Sequence, residues 1–75
     1  MQAYILITTD AGKVMSTLAE IRTIEGVKSA HATIGPYDII AFVGFENPSD
    51  LTSLIVDKIQ KVGGVSRTLT CIASG

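Results

Sequence analysis

The chain is written twice. Displaced by 38 residues, Ala3 falls on Ala41, Tyr4 on Phe42, Ile5 on Val43 and Ile7 on Phe45. Farther along, Leu18 meets Val56, Ile21 meets Ile59, Ile24 meets Val62, Gly26 meets Gly64, Val27 meets Val65 and Ile34 meets Ile72. With 75 residues, 47% of them apolar, there is room for one core and not for two. Residues 1–75 are therefore expected to form a single domain of two similar halves.

Each half opens with a short run rich in β-branched and aromatic residues, Tyr4–Thr8 and Ile39–Phe45, which suits a buried strand better than a helix. Apolar residues at helical spacing follow, Val14, Leu18 and Ile21 in the first half and Leu51, Ile55, Ile59 and Val62 in the second. Asn47-Pro48-Ser49-Asp50 marks a helix start. Asn47 can accept from free N–H groups, Pro48 needs no N–H partner, and Asp50 suits the positive end. Thr9-Asp10 is a weaker start signal for the first helix. Glu25-Gly26 and Gly63-Gly64 stop the helices, and strands resume at Val27–Ile34 and Val65–Ala73. The order β-α-β-β-α-β with right-handed crossovers closes most simply into a four-stranded antiparallel sheet with both helices on one face, the ferredoxin-like α+β arrangement. Strands one and three lie centrally in it.

Helices cover only one face of such a sheet. Ala3, Ile5, Ile7, Ile39, Val43 and Phe45 point to one side, and Tyr4, Leu6, Ile40 and Phe42 to the other. At the edges, strand two sorts Ser29, His31 and Thr33 from Lys28, Ala30, Ala32 and Ile34, while strand four sorts Ser66, Thr68 and Thr70 from Arg67, Leu69 and Cys71. Covering about four large apolar side chains at roughly 1.5–3 kcal/mol each contributes on the order of 6–12 kcal/mol before association costs. A core this small supplies only roughly 3–5 kcal/mol. The lone cysteine, Cys71, permits no internal disulfide, and no Cys/His spacing suggests a metal site. Sheet-to-sheet dimerisation, giving a dimeric α+β barrel, is the expected remedy.

Six basic and seven acidic residues, dispersed to a net charge of −1, offer no electrostatic footprint for nucleic acid. The start, Met1-Gln2-Ala3-Tyr4-Ile5-Leu6-Ile7-Thr8, has no basic leader, and no apolar run is long enough to cross a bilayer. A cytoplasmic protein with no membrane partner and no cofactor is expected.

Chemistry concentrates in Ile34-Gly35-Pro36-Tyr37-Asp38, a tight connection between strands two and three. Gly35 and Pro36 shape the turn, Tyr37 supplies a flat wall with a hydroxyl, and Asp38 can meet an ammonium group. The same residues also make a plain hairpin in which Asp38 accepts turn N–H groups.

Gly35-Pro36-Tyr37-Asp38 between two apolar strands, with the ending Gly64-Val65-Ser66-Arg67-Thr68-Leu69-Thr70, resembles the effector-binding (RAM) module of the Lrp/AsnC family along the whole chain. The resemblance implies modules that pair through their sheets into dimers, assemble into rings such as octamers or decamers, and bind small effectors, typically amino acids, between dimers. Gly35, Tyr37 and Asp38 match that family's ligand loop. Thr68 and Thr70 correspond to polar positions that approach a neighbouring subunit's loop, although threonine is also an ordinary edge-strand residue. Full-length members carry an N-terminal helix-turn-helix domain, whereas this chain opens directly on a strand. A module without its own DNA-binding part, which senses amino acids alone or in mixed assemblies with full-length regulators, is the expected function.

Three other readings compete. His31, the sole histidine, could serve a small dimeric α+β-barrel enzyme as general base, but its neighbours Ser29, Ala30, Ala32 and Thr33 include no orienting acid, so no enzyme is expected. An ACT-like regulatory domain shares the element order but pairs its sheets edge to edge. A pure oligomerisation scaffold would account for everything except the Tyr37-Asp38 loop.

Overall fold

The apolar runs pair where their alternation demands. In the computed structural model, which describes residues Met1–Gly75, β1 (Gln2–Thr9) and β3 (Ile39–Gly44) lie at the centre of one sheet, flanked by β4 (Val65–Ile72) and β2 (Val27–Ala32). The order is β2-β3-β1-β4 and every neighbouring pair is antiparallel. The ferredoxin-like α+β fold is thus the one present. Ala3, Ile5 and Ile7 stand opposite Val43, Ala41 and Ile39, and all six are fully buried. Over them lie Leu18 and Ile21 of α1 (Val14–Ile21) and Leu51, Leu54 and Ile59 of the second helical segment.

That segment begins as read from the sequence. Asn47 accepts the Asp50 N–H at 3.1 Å and Pro48 opens α2 (Pro48–Ser53). It continues as a wider π turn, Leu54–Lys58, and a tight 3₁₀ turn, Ile59–Lys61. Residues five apart stack in a turn of that width, which returns Ile59 to the face of Leu54 and leaves Ile55 only partly covered. The first helix differs from expectation. Thr9 is the last residue of β1, Asp10 contributes only its carbonyl to the Lys13 N–H at 3.0 Å, and Lys13 precedes α1 without a side-chain cap.

The two halves are less uniform than one displacement suggests. Thr9 pairs with Val65, and its counterpart Val43 pairs with Val27. The opening strands are therefore offset by 34 residues and the returning strands by 38, and the longer second helical segment absorbs the difference.

Both returning strands begin with a β-bulge, at Lys28 and at Ser66, where the register slips. A bulge sets two residues against one and re-aims a side chain. Lys28 therefore leaves the side of Ala30 and Ala32 and lies across the open face, its Cε where a Cβ on Gly44 would come within 2.8 Å and its Nζ 5.9 Å from the Phe42 ring centroid. Ser66 likewise parts from Thr68 and Thr70 and joins Thr8.

Tyr4 and Phe42 meet across the open face with centroids 4.9 Å apart. Tyr4 is 45% exposed, and Leu6, Ile40 and Phe42 are half-buried by their neighbours. Covering this face therefore gains less than full transfer of four side chains from water. The outer edge of β2 is partly closed by Arg22, whose Nε and Nη2 both donate to the Ala30 carbonyl at 3.0 and 2.9 Å. No helix is long and apolar enough to cross a membrane.

The approach of α1 to the turn before β4 is close. Thr17, fully buried, donates its hydroxyl to the Gly63 carbonyl at 3.1 Å, and Gly64 follows at φ +98°. A Cβ on Gly64 would collide with Thr17 Oγ1. Gly64→Ala should therefore cost about 2–4 kcal/mol in urea unfolding, from the positive φ and the overlap together. In a Thr17→Ala background the penalty should shrink by about 1 kcal/mol or more, and full additivity of the two changes would show that the collision contributes nothing.

Candidate ligand-binding site

The loop singled out in the sequence is built by hydrogen bonds at both of its ends. Thr33 donates its N–H to the Asp38 carbonyl at 2.8 Å and its hydroxyl to the Tyr37 carbonyl at 2.7 Å. The first bond is the last rung of the β2–β3 register and the second folds the chain into the loop just beyond it, so β2 ends at Ala32 and Ile34 is left fully exposed at 108%. Gly35 stands at φ +157° in open space. On the far side, the Asp38 N–H donates to the Ile7 carbonyl at 2.9 Å, and Asp38 Oδ2 accepts the Thr9 N–H at 2.7 Å and the Thr9 hydroxyl at 3.2 Å. Asp38 is thus the clamp that ties the loop to the end of β1. Charge-assisted bonds of this kind are among the stronger ones a carboxylate makes.

Clamped there, Tyr37 and Pro36 form one wall of an open cleft of about 360 Å³, and Thr8, Ser66 and Arg67 form the other. The second bulge turns Ser66 toward Thr8, and their hydroxyl oxygens lie 3.1 Å apart. The Ser66 hydroxyl also donates to the Thr8 carbonyl at 3.0 Å. Tyr37 therefore lines the cleft, whereas Asp38 does not. The sequence assigns no place in a site to Thr8, Thr9, Ser66 or Arg67. Their only local signal was a pair of hydroxyl residues closing β1, and it takes the strand register to bring them beside the loop.

Thr68 and Thr70 are elsewhere. They stand opposite Ile7 and Ile5, on the helix side of β4, half-buried, and Thr68 Oγ1 accepts from Gln60 Nε2 at 3.0 Å. Within one subunit the sheet separates them from the Tyr37 cleft. His31 is exposed opposite Ile40, and Cys71 is exposed opposite Tyr4.

The fold is shared with known proteins. The family model of the Lrp/AsnC ligand binding domain matches residues 2–74. An uncharacterized HTH-type transcriptional regulator of Pyrococcus horikoshii is 31% identical over 74 residues, covering 95% of this chain and 49% of the regulator. The chain spans about half the length of the curated relatives it matches. Among solved structures, FFRP-DM1 superposes with a TM-score of 0.90 at 34% identity, covering 97% of each chain. AsnC of E. coli superposes with a TM-score of 0.90 at 27% identity, covering 96% of this chain and 49% of that one. With the family model spanning nearly every residue and the fold reproduced throughout, the chain belongs to the Lrp/AsnC family, of which it carries the ligand-binding domain.

Proposed function

We propose that this chain is an oligomeric sensor of a small effector, an amino acid, bound at the Gly35–Asp38 loop, and that it acts in the cytoplasm through assembly with itself and with full-length Lrp/AsnC-type regulators. The observation that carries this reading is the cleft. The loop that matches the family's ligand motif is held rigidly by the Asp38–Thr9 bonds, and it places Tyr37 opposite Arg67 across a space suited to a small metabolite. Thr68 and Thr70, half-buried on the edge strand, add to the site only from a neighbouring subunit. The half-buried Leu6, Ile40 and Phe42 with the more exposed Tyr4 and Leu69 make the open sheet face the dimer surface, and dimers stack into a ring such as an octamer or decamer. An effector seated between dimers favours one assembly by binding it more tightly than another.

A thermal-shift screen of the twenty amino acids tests the sensor. A small subset should raise the melting temperature of the wild type, and Asp38→Ala, first shown to be folded, should lose the response because the loop is no longer held. Silence from all twenty would remove the amino-acid reading. Sedimentation tests the assembly. The wild type should remain a dimer or larger at micromolar concentration, while Leu6→Glu, which sets a charge in the middle of the open face, should dissociate it. A stable, folded wild-type monomer would end the sheet-to-sheet dimer.

A further inference from the structure

The charges around the cleft are arranged unevenly. Arg67 is the only charged residue lining it. The carboxylate that sequence alone pairs with a ligand ammonium, that of Asp38, does not line the cleft, and its Oδ2 receives two hydrogen bonds from Thr9. The hydroxyls of Thr8 and Ser66 are likewise engaged, with each other and with backbone carbonyls. The other arginine of the chain, Arg22, is occupied by the Ala30 carbonyl, whereas Arg67 is exposed, lines the cleft and makes no side-chain hydrogen bond of that kind. A planar guanidinium presents paired N–H donors that match the two oxygens of a carboxylate.

We infer that Arg67 is the residue that selects the ligand's chemical class: the cleft takes a carboxylate, and an α-ammonium group is not required for binding. Asp38 is then a positioning residue, acting through the loop that carries Tyr37. The inference rests on the small-effector reading above and narrows it. A 2-oxo acid should bind the cleft about as well as the amino acid of the same side chain, and the corresponding amine should not bind. The bulge at Ser66 is what makes this possible, since it fits Ser66 in beside Thr8 on the side where Arg67 already stands.

The test uses a matched trio on the assembled protein: L-alanine, pyruvate and ethylamine, titrated while the backbone amide signals of Thr8 and Arg67 are followed by NMR. Alanine and pyruvate should both shift these signals saturably, with affinities within about threefold of each other, and ethylamine should leave them in place. Arg67→Gln should weaken both acids by about tenfold or more, and Arg67→Lys should restore part of the loss; Arg67 is exposed, so neither variant threatens the fold. Binding of ethylamine, alanine tighter than pyruvate by about tenfold, an unaltered response in Arg67→Gln, or no shift with any of the three would overturn the inference. The two readings fail separately. Amino-acid stabilisation that depends on Asp38 but not on Arg67 leaves the sensor and removes the carboxylate cleft. Pyruvate bound at Arg67, with none of the twenty amino acids stabilising the protein, leaves the cleft and removes the amino-acid sensor.

Discussion

Everything else in this molecule hangs on the register between β1 and β3. Ile7 opposite Ile39 sets all six inward side chains of the two strands beneath the helices, and a slip of one residue would turn every one of them to the other face. The same register positions the loop. Because Ile39 faces Ile7, Asp38 arrives beside the end of β1 and finds the N–H and hydroxyl of Thr9 within reach. The packing of the core and the clamp on the Gly35–Asp38 loop are two results of one alignment. Weakening either strand would therefore disturb the site without touching any residue that lines it.

The paired bulges work in the opposite sense, by breaking regularity where it would be unhelpful. At Lys28 the break lays a long aliphatic stem over Gly44, a position without a side chain of its own, and brings the ammonium toward the Phe42 ring, an arrangement favoured by the ring's negative face. At Ser66 it crowds a hydroxyl and a guanidinium onto one end of the sheet beside Thr8. Both bulges stand directly after a Gly-Val pair that leads into the returning strand, so the repeated plan extends to its irregularities. Their outcomes diverge because the neighbours differ: an aromatic ring and a glycine at one, and the loop of Tyr37 at the other.

Much of the fold was legible in the residues. The four strands, the two helices, the Asn47 cap and the central placement of β1 and β3 follow from apolar period and from Asn, Pro and Gly at element ends, all local signals. The Gly35–Asp38 loop was legible as the connection between the second and third strands. The departures from these local signals have separate causes. Strict alternation put Lys28 and Ser66 on the wrong face because a one-residue slip leaves no mark on composition. Apolar alternation alone extends β2 to Ile34, whereas the Thr33 hydroxyl bonds the Tyr37 carbonyl and turns the chain directly after the last ladder bond. The wide turn at Leu54–Lys58 escaped notice because its apolar residues fit an ordinary helix nearly as well.

The sequence by itself determined the element order, the two-sided apolar character of the central strands and the residue types available to a ligand loop, since each depends on neighbours along the chain. Only the tertiary structure decided which of those residues work together. It drew Asp38 back to Thr9 as a clamp, sent Thr68 and Thr70 to the helix side, and brought Arg67, 30 residues beyond Tyr37, to the same cleft. The reason is that a cleft between a hairpin and an edge strand is set by strand register and by a bulge. Both are properties of the contact between segments and belong to neither segment alone.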